Sequence, residues 1–317
     1  MIKVNPLSAS SGNVYVLFGF EAIQARPNLD PYTSTLRTND ETMQVFTSDV
    51  HLKHHVRRGI KAFAAAESLI PHPETAVFYE KEDDAGNARD FTLRLKQVRD
   101  AAGIKDSDPK DALHYCLDLP LFGYVHAIKS ENFNVTNAAN TLFRPSTFHA
   151  CEIYSLGRNN AFPTLKDGAV QESAGSATVD SLEYGFFLAL WEINLNMLRV
   201  NAEHHQLIDW QKVGAAGWLE ILINGMWKAY TSDRYPSFTQ RSQFAQFVVG
   251  WQPTGDVSYA NPAELFDKLE QKKLTAHHEA LTALNTVLPD FLRGWGCTPA
   301  QRFAVQTAAN CPLTCLG

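Results

Sequence analysis

The amino-acid sequence predicts an α+β domain, and three stretches carry that prediction. Asn13–Ile23 (NVYVLFGFEAI) is rich in Val, Phe and Tyr and reads as a central strand. Leu52, Val56, Ile60 and Phe63 recur at helical spacing behind the N-cap signal Thr47-Ser48-Asp49. Gln243–Trp251 (QFAQFVVGW) reads as a closing strand far along the chain, with further strands and helices between.

The remaining elements follow in order. Residues 24–46 are polar, carry two prolines and read as a long functional loop. A second strand is expected over Ala76–Lys81. Residues 82–111 are charged and dotted with Gly, Asp and Pro, which suits a surface insertion with a short helix near FTLRLKQVRDA. His114–Ile128 reads as a strand pair or a bent strand, and Thr147–Ser155 as a further strand. Residues 156–180 have the turn chemistry of an exposed hairpin arm. Two helices are expected next, Ser181–Asn201 and about Gln206–Tyr230. The order βα, β, β, β, α, β suits an RRM-like, ferredoxin-like core with long insertions. That core is placed at 13–252, with the insertion at about 82–111 and the hairpin at about 155–180. Residues 253–317 are expected to add a helical extension, with a helix near Ala263–Leu288, and a Cys-rich tail.

At 317 residues the chain can bury a substantial core. Its net charge of −6 means that any nucleic-acid site must be a local basic groove on a mildly acidic body. No run approaches the apolar length of a membrane helix, and the start MIKVNPLSASSGN lacks the apolar stretch of a secretory signal. Five scattered cysteines argue against a disulfide framework. A cytoplasmic protein without membrane contact is the expectation.

Six stretches, in one order, resemble the backbone subunits of type I CRISPR surveillance complexes (Cascade), members of the RRM-like RAMP superfamily, and type I-B-like members most. They are RPNLDP (Arg26–Pro31), TSDVHLKHHVRRGI (Thr47–Ile60), DLPLFGYVHA (Asp118–Ala127), NFNVTNAANTLFRPSTF (Asn132–Phe148), SLEYGFFLALWEIN (Ser181–Asn194) and SDRYPSFTQRSQFAQFVVGW (Ser232–Trp251). The family usually has Gly where Leu29 stands, and more often Lys or Arg where His54-His55 stand. The resemblance spans about residues 13 to 252. It implies an RRM-like palm, a fingers insertion and a thumb β-hairpin. It further implies a non-catalytic subunit that lines up head to tail along a CRISPR guide RNA and supports pairing with complementary target DNA, for interference or for transposition. The implied partners are further copies of the chain and the complex's cap, large and small subunits.

A guide of variable sequence must be gripped by its phosphates and 2′-hydroxyls, which leaves base identity to pairing. The helix that starts at Ser48 offers free N–H groups and a favourable dipole. Lys53 and Arg57, one turn apart, can reach consecutive phosphates, His51, His54 and His55 add donors beside them, and Arg58 is a further candidate contact. The same pattern also describes an ordinary amphipathic helix with a solvated basic face. On the first loop, Arg26 and Asn28 are candidate contacts; on the hairpin, Arg158, Phe162 and Lys166 are. Phe162 could wedge between bases or pack back on the body. Arg234 and Arg241 flank a loop that could hold backbone or a neighbouring subunit, or could be solvated charge.

No cofactor, metal ligand or catalytic residue is expected. The pairs 54–55, 204–205 and 277–278 are adjacent histidines, and adjacent residues do not share a helix face. Cys311 and Cys315, with Cys297 upstream, form a weak zinc pattern without a matching His. The alternative is a metal-dependent RNA nuclease of the same superfamily using Asp30, Asp49 and nearby histidines. Asp30 also suits an Asx turn.

Overall fold

The computed structural model describes the chain except residues 31, 34, 81–89, 105–108, 129–130, 148–150, 160–163, 167–168, 172–175, 230–245, 258–259, 271–276, 310, 312 and 317. Strand β1 (Asn13–Ala25) is followed by helix α1 (Asp49–Ala66). Then come α2 (Phe91–Ala102), α3 (Pro109–Leu113) and α4 (Asp118–Phe122). Strands β2 (Tyr124–Ile128) and β3 (Glu131–Val135) form a small hairpin, and β4 (Ala139–Thr147) follows. Next are β5 (Ile153–Asn159), the paired short strands β6 (Thr164–Lys166) and β7 (Ala169–Gln171), and the long β8 (Ser176–Asn194). The chain continues through α5 (Leu195–Ala202), α6 (Trp210–Ala229) and β9 (Phe247–Trp251). It closes with α7 (Glu264–Glu270), α8 (His277–Gly294) and β10 (Arg302–Thr307).

The main sheet runs β10-β9-β1-β8-β4, and β5 also pairs with β8. Every pairing in it is antiparallel. The register of β1 against β8 is continuous from Asn13↔Asn194 to Ala22↔Gly185 and beyond. Side chains alternate between two cores, as strand geometry requires. Val14, Val16, Phe18, Phe20 and Ala22 face the core that holds Val56, Ile60, Leu219 and Leu222 of α1 and α6. Tyr15 and Leu17 face the opposite core, with Leu284, Leu288 and Phe291 of α8. Helices therefore cover both faces of the sheet.

That double burial explains the largest correction to the sequence reading. Ser181–Asn194 was expected to be helical, but it is the second half of β8, and helix begins only at Leu195. Phe186, Leu188 and Leu190 are buried on one face, and Phe187, Ala189 and Trp191 on the other. A strand buried on both faces loses its polar/apolar alternation, so periodicity alone does not separate it from a buried helix.

Other boundaries also differ. Residues 76–80 form no strand, because side chains satisfy their backbone: the Phe78 N–H donates to Asp118 Oδ1 at 2.8 Å, and Arg94 Nη2 donates to the Val77 carbonyl. His114–Ile128 is not one bent strand. Its DLPLF segment is α4, and only β2 is extended. The single strand expected at Thr147–Ser155 is two, since β4 ends at Thr147 and β5 starts at Ile153. The first strand, the Ser48 N-cap, the α1 core face and the helix within 206–230 lie where they were expected. In the C-terminal stretch α7 and α8 stand where a helix was expected near Ala263–Leu288, and β10, which was not expected, joins the sheet edge. Among the described residues no helix is long and apolar enough to cross a membrane.

Candidate nucleic-acid interface

The first loop docks on the start of α1. Ser48 caps the helix, its Oγ accepting the His51 N–H at 3.2 Å. Buried Asn28 reaches the same hydroxyl, donating from Nδ2 at 3.4 Å. The loop is shaped by antiparallel bridges Leu29↔Leu36 and Thr38↔Val45. Asp30 turns it, with Oδ1 accepting the N–H groups of Tyr32 (2.9 Å) and Thr33 (3.2 Å), and it pairs with Arg37 at 3.3 Å. Those two N–H groups, and then Arg37, hold its carboxyl below the usual range. Asp30 therefore has the Asx geometry that its sequence allowed.

The basic stripe of α1 is matched by acids along its length. Lys53 lies 3.7 Å from Asp49, Arg57 Nε 3.0 Å from Asp118, and Lys61 2.6 Å from Glu80. Burial lowers the Lys53 pKa below the usual lysine value, and Asp49 pulls it back. Arg57 is the most enclosed of the three, at 12% side-chain exposure. Its guanidinium lies 4.9 Å from the ring centres of both Tyr79 and Phe122, within cation–π range of each.

Asp118 is the group that sequence reading missed. It is fully buried, and it accepts from Arg57 Nε and from the Phe78 and Tyr79 N–H groups. Burial pushes its carboxyl up, while Arg57 and those N–H groups pull it down. Arg94 is the second missed residue. Its guanidinium, 4% exposed, donates to the carbonyls of Glu74 (2.7 Å) and Phe78 (3.2 Å). The signal was present in both cases: a lone acid opening the apolar run DLPLF, and a lone Arg between apolar residues in FTLRL. A charge set in an apolar run is a candidate for a buried, paired charge.

His51 and His55, one turn apart, bring their Nε2 atoms to 3.0 Å, and the His54 ring centre is 5.7 Å from that of His55. Burial, then the nearby charge of His51, His54 and Arg58, holds His55 well below the usual histidine pKa. Burial pushes His205 down as well, to about 3. His205 Nδ1 accepts the N–H groups of Leu207 (3.3 Å) and Ile208 (3.0 Å), a role only the neutral ring can fill. Both folded-state values lie below the unfolded value of 6.5, so the unfolded chain takes up protons first as pH falls. Stability is full above about pH 6.5 and falls steadily below it, by a few kcal/mol on the approach to pH 4. Urea unfolding at stepped pH checks this. His205→Asn, whose Oδ1 can accept the same N–H groups without titrating, flattens the acid limb.

Arg26 and Arg58 are half-buried, Arg26 just past β1 and Arg58 on α1. Arg158 lies on β5 and Lys166 on β6, within the hairpin that β5 forms with β8. Phe162, Arg234 and Arg241 lie outside the described residues. The structure thus joins Asn28, Ser48 and His51 in one contact and sets Lys53, His54, Arg57 and Arg58 along the same helix. Asp49, named for the nuclease alternative, is paired with Lys53.

No protein-family model matches the chain, and no curated protein matches it. Two solved structures to which the chain is similar are chains of a CRISPR RNA-guided surveillance complex. One, in the pre-nicking state, is 13% identical, covers 90% of this chain and 89% of its own, and has a TM-score of 0.48. The other is 14% identical, covers 95% of this chain and 93% of its own, and has the same TM-score of 0.48.

Proposed function

We propose that this chain is a non-catalytic RNA-binding backbone subunit of a type I CRISPR surveillance complex, repeated along the guide RNA. The observation that carries the reading is the docking of the loop after β1 on the N-terminus of α1 through Asn28 and Ser48. Two of the sequence stretches that resemble the family, whose Asn28 and Ser48 are 20 positions apart, meet there at a helix start suited to a phosphate. The strand order β9-β1-β8-β4, with α1 and α6 as the crossovers, supports an RRM-like palm. The β5–β8 hairpin, carrying Arg158 and Lys166, supports a thumb.

Helices on both sheet faces bear on how RNA would be held in this reading. An isolated RRM stacks bases on an open sheet face. Here Tyr15, Leu17 and Trp251 of one face are buried under α8, and Val16 and Phe18 of the other under α1 and α6. The RNA path in this reading therefore runs over loops, the α1 start and the hairpin. Arg57 contributes through Asp118, by fixing the helix, while Ser48, Lys53 and His54 face the guide.

The test is co-expression with a CRISPR repeat–spacer transcript, followed by size-exclusion chromatography with absorbance at 260 and 280 nm. A nucleic-acid-rich peak at high mass that collapses with ribonuclease or high salt is expected. Lys53→Ala weakens binding alike across guide sequences and flattens the salt slope. A clean monomer, even with the cap subunit present, refutes the reading.

A further inference from the structure

We propose that His51 and His55 form a binding site for a borderline divalent transition metal, Zn2+ or Ni2+, held between their two Nε2 atoms at the start of α1. The pair is spaced i, i+4, the spacing that puts two imidazoles on one helix face and serves zinc in many helical sites. The Nε2 atoms are 3.0 Å apart and the ring centres 4.6 Å apart. Two nitrogens bonded to one tetrahedral Zn2+ at about 2.0–2.1 Å stand roughly 3.3 Å apart, so a few tenths of an ångström of opening admits the ion.

Both rings converge on one point, and two lone pairs cannot share it without a proton or a cation between them. The neutral pair resolves this with one Nε2–H. A metal resolves it by moving that proton to Nδ1 and taking both lone pairs. The ligands are partly pre-ordered, since His55 is 5% exposed and His51 has its N–H fixed by Ser48. His51 is only half-buried, which leaves the ion a route from solvent.

The surroundings select the kind of ion. Asp49 is 3.7 Å from Lys53, and Arg58 adds like charge beside His55. Hard Mg2+ and Ca2+, which need oxygen ligands, gain nothing here, whereas imidazole suits Zn2+ and Ni2+. Among the described residues no set of three or more His, Cys, Asp or Glu side chains is placed to hold a metal. The site therefore has two protein ligands, and its remaining positions stay open to water or an oxygen anion. This inference stands apart from the RNA reading, since it needs only the two imidazoles.

The test uses the full chain without an affinity tag. Zn2+ is titrated by calorimetry with Mg2+ as the control ion, and Co2+ binding is followed by its visible spectrum. A single saturable Zn2+ equivalent, no Mg2+ binding and a saturable change in the visible Co2+ spectrum are expected. His51→Ala and His51→Gln abolish the binding, and His204→Ala, a surface histidine elsewhere, leaves it intact. Should the His51 variants misfold, Zn2+ protection of His51 against diethyl pyrocarbonate in the unaltered chain reads the same contact. No saturable binding, binding that survives loss of His51, binding lost in His204→Ala, or no protection of His51 each overturn the proposal.

Discussion

Asp118→Ala is expected to destabilise the fold by about 3–5 kcal/mol, the cost of stranding a buried charge. The carboxylate has no exposure, and three donors converge on it. Its loss leaves the Arg57 guanidinium enclosed without its anion and the Phe78 N–H without an acceptor. Asp118→Asn keeps a carbonyl for Phe78 but not the charge, so its loss is smaller. Removing both charges in Asp118→Ala with Arg57→Met restores much of the stability, because an apolar pair of similar volume does not strand a charge. Chemical denaturation of the unaltered chain, Asp118→Ala, Arg57→Met and the double variant closes the double-mutant cycle. A loss in Asp118→Ala no greater than that of an exposed ion pair, about 1 kcal/mol or less, refutes the structural role.

The same network shows why the site was only partly legible in the sequence. Ser48 and the α1 core face were readable because capping and periodicity are local signals. The family resemblance also singled out DLPLFG, but as a strand, and nothing local told that its Asp would reach back 61 residues to Arg57. The stripe Lys53, Arg57 and Lys61 reads as free cations, yet each acidic partner except Asp49 comes from a distant segment. The rule that adjacent histidines do not share a face disposed of 54–55 and hid the pair that does, His51 with His55. The fold was lost at β8 for a related reason. Its second face is buried by α8, from the C-terminal stretch, so the strand's apolar character depends on residues a hundred positions away. Tertiary partners, not propensity, decided each of these.

The other large effect is expected at the crossing of α1 and α6. Gly59 and Gly225 face each other there, and each is a position where a side chain has no room. A Cβ on Gly59 would run into the Gly225 carbonyl oxygen and come within 2.8 Å of the Ala229 nitrogen. Both obstacles are helix backbone, which cannot swing aside as a flexible side chain does. A Cβ on Gly225 meets the Ile60 side chain and, at 3.2 Å, the Val56 carbonyl oxygen. Helix propensity alone argues the other way, since Gly→Ala in a helix is worth about 0.5–1 kcal/mol of stabilisation. Overpacking of a tight contact costs about 1–3 kcal/mol and more where backbone must move. The steric effect wins at Gly59, so Gly59→Ala lowers stability by about 2 kcal/mol net and Gly59→Val by more. Gly225→Ala falls between the two influences, because its shortest approach is to the Ile60 side chain rather than to helix backbone. Thermal unfolding of the three variants gives the ranking, with Gly59→Val lowest and Gly225→Ala nearest the unaltered chain. A stabilised Gly59→Ala would mean that the helices cross farther apart than this geometry has them. Because α1 carries Ser48, His51 and Lys53 on its outer turns, the same widening would also displace the loop that Asn28 pins to it.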